Sequence, residues 1–192
     1  MSELFAMFLK LSGRKALVVG GGTIATLRVK QLLRAKAAVT VVAPEVSTEI
    51  ENCLKAGSIA LIRRKFEPTD LTPNFYMVIA ATDDPAVQTA VARHAQRHGT
   101  LLNVVDSPRL SNFYTPAVVK RGDLMIAVGT GGRSPFLAGK VREWLDQAIP
   151  KNAADLATTM ERLRTKLKIE IPHDLDKQKE LMSEFAEGVF KK

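Results

Sequence analysis

The apolar positions of this chain follow two alternating rhythms. Residues 15–19, 39–42, 59–63, 76–81 and 101–105 form short, nearly unbroken apolar runs rich in Val, Ile and Leu. Strands buried on both faces of a parallel sheet read this way. Helical stretches fall between them, at about 23–35, about 46–56 and from Pro85 to about His98. Gly57 and Gly99 close the last two, and Asp83 or Asp84 caps the third. Strands alternating with helices predict an α/β fold with a doubly wound parallel sheet. The rhythm changes after Asp106. Residues 113–119 and 124–129 predict two strands joined by a hairpin at Lys120-Arg-Gly-Asp123. Ser134 and Pro135 open a helix to about Gln147, and two charged helices near 152–168 and 174–190 are split by Pro172. The expected division is a sheet domain at 1–112, a small α+β region at 113–150 and a helical domain at 151–192.

The first strand runs straight into Gly20, Gly21, Gly22, Thr23, Ile24 and Ala25. Gly20, Gly22 and Ala25 fit the G-x-G-x-x-G/A turn that binds dinucleotides. Such a turn needs a tight bend at Gly20, close backbone approach to a pyrophosphate at Gly22, and close helix–strand packing at Ala25. The following helix aims its free N–H groups and positive dipole end at the phosphates. The alternative is a glycine turn that serves packing only. Glu45 follows strand two, where a carboxylate accepts from ribose hydroxyls and repels a 2′-phosphate, and Pro44 offers backbone contact. No arginine adjoins Glu45, which favours NAD over NADP; its other role would be an N-terminal charge on the next helix. Thr82 and Asp83 follow strand four on the carboxyl edge, where open α/β sheets bind ligands, unless they merely cap a helix. Asp106 ends strand five on that edge, and is either an acid–base carboxylate or a turn former before Ser107-Pro108.

Gly131, Gly132, Arg133 and Ser134 make a second helix N-terminus with backbone donors and a guanidinium, suited to carboxylates. An ordinary capped turn is the alternative. His94 and His98 have metal-ligand spacing but lack a third ligand nearby, and Arg93 and Arg97 beside them suit a helix C-terminus, so no metal site is expected.

Composition narrows the partners. The 192 residues are 46% hydrophobic, with no run near the roughly 20 apolar residues of a membrane span. The apolar N-terminus holds Glu3 and no basic stretch, so it makes a poor signal peptide. A single cysteine, Cys53, allows no intrachain disulfide and suits the cytoplasm. The net charge is +8, and residues 151–192 hold nine basic against eight acidic side chains, so the surplus lies in residues 1–150. That charge fits an anionic ligand or a solvated basic surface. Basic residues do not interleave with aromatics, so nucleic acid is not an expected partner, and without an apolar span neither is a membrane.

Five blocks occur in order: Val-Val-Gly-Gly-Gly-x-Ile-Ala (18–25), Ile-Ala-Ala-Thr-Asp-Asp (79–84), Asn-Val-Val-Asp-Ser-Pro (103–108), Phe-Tyr-Thr-Pro-Ala (113–117) and Gly-Gly-Arg-Ser-Pro (131–135). In them the chain resembles the precorrin-2 dehydrogenase and sirohydrochlorin ferrochelatase family of sirohaem synthesis, from about residue 4 to 150. The resemblance implies a Rossmann-like NAD-binding domain, homodimerisation through the middle region (113–129), and C-terminal helices. It implies NAD-dependent oxidation of precorrin-2 to sirohydrochlorin, then insertion of ferrous ion at the same site. Asp106 would be the acid–base residue. Gly20–Ala25, Pro44, Glu45, Thr82 and Asp83 would contact NAD, and Asn103 with Gly131–Ser134 would contact the tetrapyrrole and its eight carboxylates. A dehydrogenase without chelatase activity, or a non-enzymatic NAD- or tetrapyrrole-binding partner, are the rival readings. The chain departs from the family habit at Thr26-Leu27-Arg28, at Lys36, where a glycine is common, and at Gly129-Thr130.

Overall fold

Leu17, Val18 and Val19 are at most 2% exposed, so the first strand is walled in on both faces. In the computed structural model, which describes residues 4–190, that strand is the middle of a five-stranded parallel sheet. The strands are β1 (Lys15–Val19), β2 (Ala38–Val42), β3 (Ile59–Ile62), β4 (Met77–Ala80) and β5 (Leu101–Val104), in the order β3-β2-β1-β4-β5. Helices α1 (Thr23–Arg34), α2 (Thr48–Lys55) and α3 (Pro85–His98) connect β1 to β2, β2 to β3 and β4 to β5, and a 3₁₀ turn at Pro68–Asp70 lies in the crossover from β3 to β4. Strand period two sorts the core into two layers. Ala16 and Val18 pack with Ala25, Val29 and Leu32 of α1 and Ile50 of α2. Leu17 and Val19 pack on the other face with Val91 and Ala95 of α3. Register aligns Val19 with Val42 and Ala80, and Ala80 with Val104, so four strands end level. The order of connections reverses between β1 and β4, and at such a switch point open α/β sheets bind ligands.

Local chemistry sets the ends of these elements. Ser47 caps α2 by accepting from Ile50 N–H at 3.3 Å, so that helix starts at Thr48 rather than near 46. Asp84, of the two candidate aspartates, caps α3 by accepting from Ala86 and Val87. The helices α1 and α2 end in the same motif. Lys36 and Ala37 donate back to Leu33 and Leu32, as Gly57 and Ser58 do to Leu54 and Cys53. The basic run after β3 braces the crossover to β4. Arg63 pairs with Glu51 at 2.6 Å, and Arg64 grips both carboxylate oxygens of Asp70 at 2.6 and 2.8 Å. Burial pushes the Asp70 carboxyl up, but Arg64 and the Glu67 N–H together hold it below its usual range.

The chain divides into two compact units, one up to Thr115 and the other from Pro116. The second opens with an antiparallel hairpin, β6 (Ala117–Arg121) and β7 (Leu124–Val128), turning at Gly122-Asp123. Gly122 has φ +56°. The helix α4 (Pro135–Ala148) packs on the hairpin, and Arg121 bonds both the carboxylate and the carbonyl of Asp146 at 2.9 Å. Helices α5 (Ala153–Glu170) and α6 (Leu175–Phe190) pack together. The first hairpin strand starts at Ala117, not at 113. Asn112 and Phe113 donate instead to Leu102 O, Phe113 packs on the sheet core, and Pro116 has no N–H to give. The architecture is a Rossmann-like doubly wound parallel sheet followed by a small α+β region and C-terminal helices.

Candidate dinucleotide and substrate site

The carboxyl edge of the sheet gathers the residues that sequence singled out in the first unit. Gly20 leaves β1 at φ +119° and donates to Val42 O at 2.9 Å. A Cβ at Gly20 would collide with the Ala81 carbonyl, and one at Gly21 with the Glu45 carbonyl. Both glycines are therefore demanded by the protein's own backbone. Gly22 differs: a Cβ there would meet nothing within 4 Å. It faces open space at the start of α1.

That helix start is unlike its two neighbours. A side chain caps α2 and another caps α3, and α2 adds Glu49 and Glu51 in its first turn. No side chain caps α1, and its first turn holds no acidic residue. The first α1 hydrogen bond runs from Thr26 N–H to Gly22 O at 2.9 Å. The N–H groups of Thr23, Ile24 and Ala25 thus remain available to an anion. Ala25 is fully buried against the sheet, while Thr23 and Ile24 are exposed. The residues fit a pyrophosphate: an open Gly22, an uncapped positive helix end and no competing carboxylate.

Pro44 and Glu45 are exposed in the loop after β2. This loop is stitched to the glycine turn, since Ser47 N–H donates to Gly21 O at 2.9 Å. Thr26 strengthens the stitch. Its hydroxyl donates to Gly22 O at 2.9 Å and lies 2.7 Å from the Ser47 hydroxyl. Sequence reading missed both residues as site supports; Ser47 was legible as a helix N-cap, but Thr26 carried no local signal.

Thr82 and Asp83 follow β4. The Thr82 hydroxyl accepts from Asp84 N–H at 3.3 Å and its carbonyl from the Gln88 amide at 2.7 Å, so Thr82 organises the start of α3. Asp83 is exposed and forms no hydrogen bond with the described residues. Asn103 is buried in β5 and donates to Phe113 O at 3.2 Å. Asp106 is exposed on a turn in which Ser107 N–H reaches Val104 O at 3.2 Å. Its φ is +58°, a value that Asp tolerates better than most side chains. The turn role raised from sequence is therefore real, and it leaves Asp106 exposed at the carboxyl edge of the sheet. β5 lies two strands from β1, about 10 Å across the ladder.

In the second unit Gly131 and Gly132 have φ +64° and +76°. Ser134 caps α4 through Leu137 N–H at 3.2 Å and donates its own N–H to Thr130 at 3.1 Å. Its N–H, carbonyl and hydroxyl oxygen are thus engaged, whereas the exposed Arg133 guanidinium bonds none of the described residues. His94 and His98 lie with ring centroids 4.3 Å apart. Among the described residues no group of three or more His, Cys, Asp or Glu could hold a metal ion. No described helix is long and apolar enough to cross a membrane.

A family model described as "Putative NAD(P)-binding" matches residues 7–117. The siroheme synthase of Methylococcus capsulatus is 43% identical over 88% of the chain, and that of Chromobacterium violaceum 36% over 97%. This chain spans 36% and 39% of those two proteins' lengths. A solved structure described as SirC, a precorrin-2 dehydrogenase, superposes with a TM-score of 0.78 at 34% identity, covering 94% of this chain and 88% of that one. Overlap of fold and sequence along most of both chains makes this chain a member of the precorrin-2 dehydrogenase and sirohydrochlorin ferrochelatase family.

Proposed function

We propose that this protein works in sirohaem synthesis as an NAD-dependent precorrin-2 dehydrogenase, with ferrous ion insertion into sirohydrochlorin at the same site. The observation that carries the reading is the presence on one sheet edge of an uncapped glycine-turn helix, α1, and the exposed Asp106. The siroheme synthase and SirC relatives supply the substrate class.

In the dehydrogenation the macrocycle loses two hydrogens, one as hydride and one as a proton. Bound NAD supplies the hydride acceptor. Thr23–Ala25 N–H groups hold its pyrophosphate, and Glu45 accepts from the adenosine ribose hydroxyls. Thr82 and Asp83 line the path along the β4 end, between the glycine turn and Asp106. Asp106 takes the proton, and in metal insertion it accepts protons as two pyrrole N–H groups are deprotonated. Asn103 and Gly131–Ser134 engage the tetrapyrrole, with the Arg133 guanidinium and the glycine N–H groups meeting its carboxylates. Ferrous ion enters as substrate.

The proposed assembly is a cytoplasmic homodimer built through 113–129. Exposed Val118 and Met125 on the β6–β7 hairpin give that surface apolar character. The proposed domain limits remain 1–112, 113–150 and 151–192. The test is to add precorrin-2 and NAD, follow sirohydrochlorin by absorbance, and then add ferrous ion. Sirohydrochlorin followed by sirohaem is the expected sequence. Sirohydrochlorin without sirohaem would remove the chelatase half, and no oxidation at all would remove the whole reading.

A further inference from the structure

The loop after Asp106 folds back on β5 and is tied to it by two side chains. Ser111 Oγ accepts from Val104 N–H at 2.9 Å and donates to Ser107 O at 2.9 Å, with Val104 O at 3.2 Å. One hydroxyl therefore bridges both ends of the turn Val104-Val105-Asp106-Ser107. Asn112 does the same for the strand itself. Its Oδ1 accepts from Leu102 N–H at 2.7 Å, its Nδ2 donates to Thr100 O at 2.9 Å, and its N–H donates to Leu102 O at 2.9 Å. These are the groups that a further strand would engage on the free edge of β5. The carboxamide anchors the loop, and the hydroxyl closes the turn.

The turn has a reason to need closing. A positive φ at its third position is the type II geometry, which favours glycine or asparagine there. Asp106 holds it at +58°, and a side chain stays in that region only when its surroundings fix it. The Ser107 N–H to Val104 O bond is 3.2 Å long, so the turn's own closure is not short. Ser111 adds two bonds of 2.9 Å to the same two residues.

We propose that Ser111 is a positioning residue for the reaction: its hydroxyl fixes the left-handed turn and thereby aims the Asp106 carboxylate at the substrate. This rests on the reading of Asp106 as the acid–base group. Ser111 itself touches no reacting atom; its oxygen is fully engaged by backbone. Loss of the hydroxyl lets Asp106 relax toward negative φ and swings the carboxylate away, which slows proton transfer without touching the glycine turn two strands away.

The test is a double-mutant cycle on precorrin-2 oxidation in the full chain, with Ser111→Ala, Asp106→Asn and the double variant. Ser111→Ala is expected to lower kcat about tenfold with the KM for NAD unchanged, since a displaced acid–base group costs rate rather than cofactor affinity. Ser111→Thr, which keeps the hydroxyl, restores kcat. In the Asp106→Asn background Ser111→Ala costs nothing further, because the two act through one group. A folded Ser111→Ala protein with unchanged kcat, or losses that multiply in the double variant, overturns the proposal and leaves the Asp106 reading standing. Should Ser111→Ala not fold, Ser111→Val against Ser111→Thr isolates the hydroxyl at matched shape, and equal kcat overturns the proposal. If Asp106→Asn alone keeps its rate, the acid–base reading fails, and this proposal fails with it.

Discussion

Lys36 and Asp106 share a backbone conformation, φ +59° and +58°, at opposite edges of the same parallel sheet. They are the two non-glycine residues with positive φ among those described, and their surroundings differ. Lys36 precedes β2 and terminates α1, where Lys36 N–H reaches Leu33 O at 2.9 Å and Ala37 N–H reaches Leu32 O at 3.1 Å. The end of α2 uses the same two bonds with Gly57 in the equivalent place. Backbone requirements thus account for Lys36 completely, and a glycine would meet them with less strain. The Asp106 turn would also accept glycine. Glycine, however, would remove the exposed carboxylate that this turn carries on the sheet edge where the uncapped helix α1 begins. Strain becomes informative about function only where the side chain has something to do.

The largest expected effect separates the two residues by chemistry. Asp106→Asn keeps shape and turn propensity but cannot accept a proton as a carboxylate does, so precorrin-2 oxidation should fall about 10²–10⁴-fold. Steady-state rates with NAD affinity measured alongside check it. Metal insertion should fall in parallel; if it holds, the chelatase uses another base.

Next in size is the glycine turn on the Asp106 edge. Gly22→Asp adds a charge where a Cβ meets nothing within 4 Å, so the fold should persist. NAD affinity should drop by about a hundredfold or more, since like charges would face each other. Calorimetry on the folded variant decides it. Gly20→Ala sharpens the contrast, because its Cβ would strike the Ala81 carbonyl and its first effect should be on melting temperature.

Cofactor choice is a smaller effect at the same edge. If Glu45 meets the adenosine ribose as proposed, NAD should be preferred over NADP by about tenfold or more. Comparable kcat/KM for the two would remove Glu45 from its role.

Lys36→Gly should raise stability by about 1 kcal/mol, the cost of a left-handed L-residue. For a chain of this size that is about 2–4 °C in melting temperature. Activity should not change, since Lys36 lies at the edge away from the site.

The smallest effect belongs to His94 on α3, whose imidazole is held below its ordinary 6.5 by burial, then by His98 and Arg97. The unfolded chain therefore binds this proton more readily than the folded one. Stability from this source is complete above the unfolded value and declines as pH falls through it. His94→Gln should flatten the pH dependence of melting in the mildly acidic range.

Much of this edge is readable in the residues themselves. Unbroken Val and Ile runs announce a doubly buried parallel sheet, and the spacing of Gly20, Gly22 and Ala25 marks the turn. Ser134 as a cap follows from Pro135 at the next position, and Pro85 narrows the α3 cap to Asp83 or Asp84, of which the structure uses Asp84. Other features are not readable, because they depend on pairings between distant residues. Phe113-Tyr-Thr has strand composition, yet Phe113 docks in the core and Pro116 interrupts the ladder. The Thr26–Ser47 contact joins two segments 21 residues apart. The grip of Ser111 on Val104 joins a loop to a strand, and nothing in Leu-Ser-Asn-Phe announces it. The positive φ of Lys36 runs against propensity, and only the helix end around it explains the choice.

The measurement that bears most directly on the site is the rate of NADH formation from precorrin-2 and NAD in Asp106→Gly, set beside its melting temperature and beside Lys36→Gly. Glycine relieves the same strain at both positions, so both variants should melt at or above the wild-type temperature. Only Asp106→Gly should lose activity, by about a hundredfold or more. An Asp106→Gly protein within about tenfold of the wild-type rate would contradict the assignment and leave Asp106 a turn residue like Lys36.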